Sequence, residues 1–79
     1  MKKILCVDDN PQVMLLVEVI LSRLGFTVLL AENGITGLER FFENPDVSVV
    51  VTDIYMSRMA GNAVARRIRA SRREGVTLI

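Results

Sequence analysis

The chain holds no histidine and no tryptophan, and only one cysteine, in 79 residues. Without histidine, and with Cys6 alone, no Cys/His zinc site can form. One cysteine also excludes an internal disulfide, so no covalent staple supplements a core that at this size rarely supplies more than about 3–5 kcal/mol. Cys6 lies within the apolar run Ile4-Leu5-Cys6-Val7 and reads as a small buried hydrophobe rather than a reactive thiol. Long apolar runs are missing too. The run after Met1-Lys2-Lys3 reaches only four residues before Asp8, too short for a signal peptide, and Val13–Leu21 is broken by Glu18. The expectation is a soluble, cytoplasmic protein that neither spans nor binds a membrane. There is no internal repeat, linker or low-complexity segment.

Aromatic residues are 5% of the chain, and none interleaves the arginines. That matters because the net charge of +1 conceals a split. Residues 1–57 set Lys2, Lys3, Arg23 and Arg40 against eight acids, a balance of −4. Residues 58–79 set Arg58, Arg66, Arg67, Arg69, Arg72 and Arg73 against Glu74, a balance of +5. A basic segment can face nucleic acid or an acidic protein surface. With no stacking aromatics and no helix-turn-helix pair, the expectation is the solvated face of one helix and no nucleic-acid partner.

Hydrophobic residues make up 51% of the sequence, enough for one small folded domain. The stretch that organises it is Val49-Val50-Val51-Thr52-Asp53, an unbroken β-branched run ending on a carboxylate. Continuous apolar strands are those buried on both faces, as in a parallel sheet covered by helices. Strands are predicted at Ile4–Val7, Phe26–Ala31, Val47–Thr52 and Val76–Ile79. Between them, Val13, Leu16, Val17, Ile20 and Leu24 recur at helical spacing over residues 11–24. Asn10 or Asp9 would cap that helix, Pro11 suits its first turn, and Gly25 stops it. After the turn Glu32-Asn33-Gly34, the residues Ile35, Leu38, Phe41 and Phe42 mark a second helix, ended by Asn44-Pro45. A loop from Asp53 to Gly61 leads to a third, through Ala63, Val64, Ile68 and Ala70 to about Arg72. The order β-α-β-α-β-α-β implies right-handed crossovers and an α/β fold.

In such sheets chemistry collects at the carboxyl ends of the strands. Asp8 and Asp9 follow the first strand and Asp53 ends the third. Two unit charges at ~5 Å repel by roughly 3 kcal/mol at an effective dielectric of ~20, so among three either one stays protonated or a cation sits between them. Oxygen ligands without histidine or cysteine select a hard ion, Mg²⁺ above all. Such a site neutralises phosphate oxygens and lets a carboxylate attack phosphorus. Singly, each aspartate is better explained as a cap or a strand end; together they favour a site.

The stretches Ile4-Leu5-Cys6-Val7-Asp8-Asp9, Ala31-Glu32-Asn33-Gly34 and Asp53-Ile54-Tyr55-Met56 through Gly61, with Ile68-Arg69, resemble the receiver domain of two-component response regulators. The resemblance covers nearly all of residues 1–79, taken as a single truncated receiver domain. It implies a flavodoxin-like three-layer fold, a truncated (βα)3β with parallel strand order 2-1-3-4, completed by dimerisation. It implies that Asp53 is the phosphoryl acceptor and that Asp8, Asp9, Asp53 and the backbone carbonyl of Tyr55 hold Mg²⁺. The donor would be a phosphohistidine on a sensor histidine kinase or phosphotransfer protein. The domain would be a signalling element rather than an enzyme; a Mg²⁺-dependent phosphohydrolase lacks a second acid at the needed spacing.

The pattern departs from the family at several points. Ser57 stands where proline is usual, and Gly37, where alanine is common, weakens the second helix by up to ~1 kcal/mol. Arg58 is a candidate stand-in for the family's strand-five lysine, which Lys2 and Lys3, at the far end of the first strand, cannot replace. The 79 residues stop where the fourth strand should present a Ser or Thr to the phosphoryl group. The first helix is then expected to leave part of its wide apolar stripe, and the sheet beneath, exposed to water, and a homodimer is expected to cover them, by pairing or exchange of the fourth strand and packing of helices across the two-fold. The alternative expectation is a phosphorylation-incompetent remnant acting as a homodimeric interaction module.

Overall fold

The computed structural model describes residues 2–53 and 61–79. Strands β1 (Lys3–Val7), β2 (Thr27–Ala31), β3 (Val47–Thr52) and β4 (Thr77–Leu78) alternate with helices α1 (Pro11–Arg23), α2 (Gly34–Glu43) and α3 (Gly61–Ala70). The strands form one parallel sheet in the order β2-β1-β3-β4. The chain therefore moves one way from β1 to β2 and the other way to β3 and β4. Right-handed crossovers then put α1 on one face and α2 with α3 on the other. The core lies on the second face: Leu5, Val7, Ala31 and Val50 from the sheet meet Leu38 and Phe41 of α2 and Val64 and Ile68 of α3. On the first face the alternate residues Ile4 and Cys6 are buried as well, which is why β1 reads as a continuous apolar run.

Among the boundaries that differ from the sequence expectation, three have a clear local reason. Phe26 belongs to the end of α1 rather than to β2. Its N–H bonds Leu21 O at 3.1 Å while Gly25, at φ +93°, bonds Ser22 O, so glycine and the residue after it together close the helix. Helix α3 ends at Ala70, two residues short of expectation, because Arg72 turns left-handed at φ +56°. Strand β4 is only Thr77–Leu78, with Val76 packed against the core and Ile79 still bonded to Val50 O at 2.9 Å.

The larger correction concerns which helix faces turn inward. In α1 no residue is buried. Part of the stripe lies in water as expected, with Leu16 60% and Leu24 68% exposed; the side chains that are better covered, Met14, Val17 and Leu21, include only Val17 of the expected set. Because α1 is apolar almost all round, periodicity could not choose its rotation. In α2, Leu38 and Phe41 point inward, but Ile35 and Phe42 are exposed.

Gly37, read from sequence as a helix-weakening departure, has a steric role. A Cβ built there would lie 2.8 Å from Val7 Cγ2 and 3.1 Å from Cγ1, so α2 lies on β1 more closely than any side chain allows. At the other end of the sheet, Lys3 Nζ bonds Asp46 Oδ2 at 2.8 Å. Arg73 stacks 3.7 Å over the Phe41 ring and donates to Asn44 O at 3.1 Å, tying the segment after α3 to the end of α2.

Gly37→Ala is expected to destabilise the chain by about 1–2 kcal/mol in urea unfolding, overpacking outweighing the helix-propensity gain. Adding Val7→Ala should recover part of that loss, giving a favourable coupling in the double-mutant cycle. The hydrogen bond from Lys3 holds the Asp46 carboxyl below its usual range. Because the folded-state pKa is depressed, this contribution is present at neutral pH and lost as pH falls through the carboxylate range. Asp46→Asn should therefore flatten the acid limb of the stability–pH profile.

Candidate functional site

The site is built where β1 and β3 end side by side, at the point where the chain direction across the sheet reverses. Their register pairs Val7 with Thr52, and the ladder continues one step further, Asp53 N–H donating to Val7 O at 3.0 Å. On the other side Asp8 N–H donates to Ala31 O at 3.1 Å. Asp53 is thus anchored by a backbone bond to the end of β1, and Asp8, which follows β1, to the end of β2.

The entry to α1 settles which neighbour caps the helix. Asn10 does so, its Oδ1 accepting from Gln12 N at 3.0 Å and Val13 N at 3.2 Å. Asp8 Oδ1 accepts from Asn10 N at 2.9 Å, a short turn that holds the loop. Asp9 is left without a capping task. Asn33, 6% exposed, caps α2 through Thr36 N at 2.9 Å.

The outcome is that Asp8, Asp9 and Asp53 each offer a carboxylate oxygen within 4.8 Å of the others. An all-oxygen donor set of this span fits a hard divalent cation. Of the residues expected from sequence to form one site, the three carboxylates come together. Tyr55, Ser57 and Arg58 lie outside the described residues. Cys6, 2% exposed, has its thiol pKa pushed up by burial and then by the Asp8 charge, which keeps it protonated and inert. Sequence reasoning left the cap open between Asp9 and Asn10; the choice of Asn10 is what frees Asp9 for the cluster.

Comparison with known proteins decides the family. The sequence profile described as the response regulator receiver domain matches residues 4–79. The chain belongs to the response regulator receiver family. This receiver is 38% identical over 72 residues to the chemotaxis protein CheY1 of Helicobacter pylori, covering 90% of the chain and 58% of CheY1. It thus spans less than two thirds of the length of that relative. Among solved structures it superposes on the response regulator TrrA of Thermotoga maritima in complex with Mg²⁺ and BeF, at a TM-score of 0.85 and 38% identity, covering 90% of this chain and 61% of TrrA. A structure of the histidine kinase ThkA in complex with TrrA gives a TM-score of 0.89 at 35% identity, covering 99% and 67% respectively. The receiver fold, with its parallel order 2-1-3-4 and three helices, is the one expected from the sequence. Among the described residues no helix is long and apolar enough to cross a membrane.

Neutralising one carboxylate should relieve repulsion in the metal-free receiver. Asp9→Asn is expected to stabilise it at low ionic strength by less than about 1 kcal/mol, because Asp9 is exposed, and so to raise the thermal midpoint. Added salt should shrink the difference. A lowered midpoint would instead show that Asp9 holds the loop.

Proposed function

We propose that residues 1–79 act as one receiver domain in two-component signalling, accepting a phosphoryl group on Asp53 from a phosphohistidine. The observation that carries this is the convergence of Asp8, Asp9 and Asp53 at the ends of β1 and β3. A carboxylate oxygen of Asp53 attacks phosphorus and the P–N bond of the donor breaks. The product is an acyl phosphate, and the imidazole of the donor leaves as a neutral group once protonated. Asp8, Asp9 and Asp53, with the carbonyl of Tyr55, would hold Mg²⁺. The metal, when bound, offsets the charge shared by the carboxylates and the phosphoryl oxygens. The backbone bond from Asp53 N to Val7 O orients the acceptor, and Asn10 keeps the helix entry clear of it. The domain is a signalling element rather than a turnover enzyme, its partner is a sensor histidine kinase or phosphotransfer protein, and its setting is the cytoplasm. The complex of ThkA with TrrA supports that choice of partner.

A second reading, a homodimeric interaction module without phosphorylation, draws on one observation. Leu15, Leu16, Ile20 and Leu24 are all at least half exposed along α1, an apolar flank of the kind that marks an interaction surface.

Intact-mass spectrometry after incubation with acetyl phosphate and Mg²⁺ separates the two. The first reading expects a phosphoryl adduct on the wild type, none on Asp53→Asn, and adduct formation slowed by roughly an order of magnitude or more in Asp9→Asn. No adduct on folded wild-type protein would leave only the second. Mg²⁺ at about ten times its Kd should raise wild-type stability by about 1.4 kcal/mol, and Asp9→Asn should lose most of that gain.

A further inference from the structure

Two neighbouring helices carry opposite charges that they do not exchange within the chain. Helix α3 buries Gly61, Val64 and Ile68. Its opposite face, Ala63, Arg66, Arg67 and Ala70, lines an open groove of about 350 Å³. No acid occurs between residues 61 and 73, and Arg66, Arg67, Arg69 and Arg72 are exposed. Helix α2, which packs beside α3, turns Ile35, Glu39, Phe42 and Glu43 outward, with Phe42 55% exposed. Among the described residues the one ion pair is Lys3–Asp46, so neither the glutamates nor these arginines are neutralised internally. Each helix also repels itself: Glu39 and Glu43 are four apart, and Arg66 and Arg69 three apart. Arg40, three before Glu43, is a helical neighbour of that glutamate but forms no ion pair with it, and α2 keeps a net charge of −1.

The geometry points to a second copy of this chain as the occupant of the α3 groove. In that pair α2 of each protomer lies on α3 of the other, with Phe42 over the alanines and Glu39 and Glu43 against Arg66 and Arg67. Because α2 and α3 are adjacent in one layer, the contact can close on itself about a two-fold axis, each copy giving and receiving the same surface. A large aromatic in a small-residue groove is the kind of anchor that carries interface energy, while the rim charges set partner choice and rate. This inference rests on the homodimer reading and names its surface: the α2–α3 layer rather than α1, whose flank is apolar but has no charge pattern to match. The α2–α3 layer is separate from the carboxylate cluster.

Sedimentation velocity at low ionic strength tests it, using wild type, Arg66→Glu/Arg67→Glu, Glu39→Lys/Glu43→Lys, their equimolar mixture, and the fourfold variant. The wild type should dimerise, and each charge-reversed pair should weaken that by roughly tenfold or more. The mixture and the fourfold variant should both recover it, since either arrangement restores opposite charges at both contacts. Recovery also shows that the reversed chains fold. Phe42→Ser should weaken the dimer in every charge background. A dimer indifferent to both reversals would overturn the α2–α3 surface while leaving the homodimer reading intact. A folded wild-type monomer at about 100 μM would overturn both.

Discussion

The pairing of β1 with β3 carries both the core and the site. Leu5 faces Val50 and Val7 faces Thr52 in that ladder, and Leu5, Val7 and Val50 are essentially removed from water. Burial on both faces leaves the backbone no water to bond, so the register is held by every N–H and C=O along it. The last bond of the ladder runs from Asp53 N to Val7 O, and it sets the Asp53 carboxylate beside Asp8. Val7 serves twice: its carbonyl anchors Asp53, and its side chain is the surface against which Gly37 brings α2. A change at Val7 therefore reaches the core and the site together.

The two faces of the sheet are finished very differently. On one, α2 and α3 close over a contiguous core, and Arg73 stacked on Phe41 ties the segment after α3 back to α2. On the other, α1 covers Ile4 and Cys6 yet buries none of its own side chains, although most of them are apolar. The charge split seen in the composition also takes a concrete form here. The arginines gather on the outward side of α3, and two of the acids stand on α2 next to it.

Much of this was readable in the residues. Continuous β-branched runs marked the strands, since a fully buried strand has no polar face. The carboxylates that end two of those runs lie at one edge of the sheet, because parallel strands present the same ends there, and the strand order implied by the family resemblance put those two strands side by side. Gly25 marked the stop of α1, since a left-handed turn there admits little else. What could not be read were rotations and close approaches. Exposure along α1 was expected, but which of its side chains face the sheet was not legible, because a helix apolar on nearly all sides gives no phase. Ile35 and Phe42 looked like core residues, yet the sheet selected Leu38 and Phe41. Gly37 looked like a weakness until Val7 was seen lying beneath it.

Local chemistry was therefore enough to set the order of elements, the parallel sheet and the residues of the acidic cluster. These follow from short-range rules: strand burial, helix caps, turn residues and the handedness of crossovers. Three-dimensional packing chose the rotation of α1, the outward turn of Phe42, the need for glycine at position 37, and Asn10 rather than Asp9 as the cap. Those choices depend on which surfaces meet across the sheet, and distances between residues far apart in the chain are not written in any local pattern.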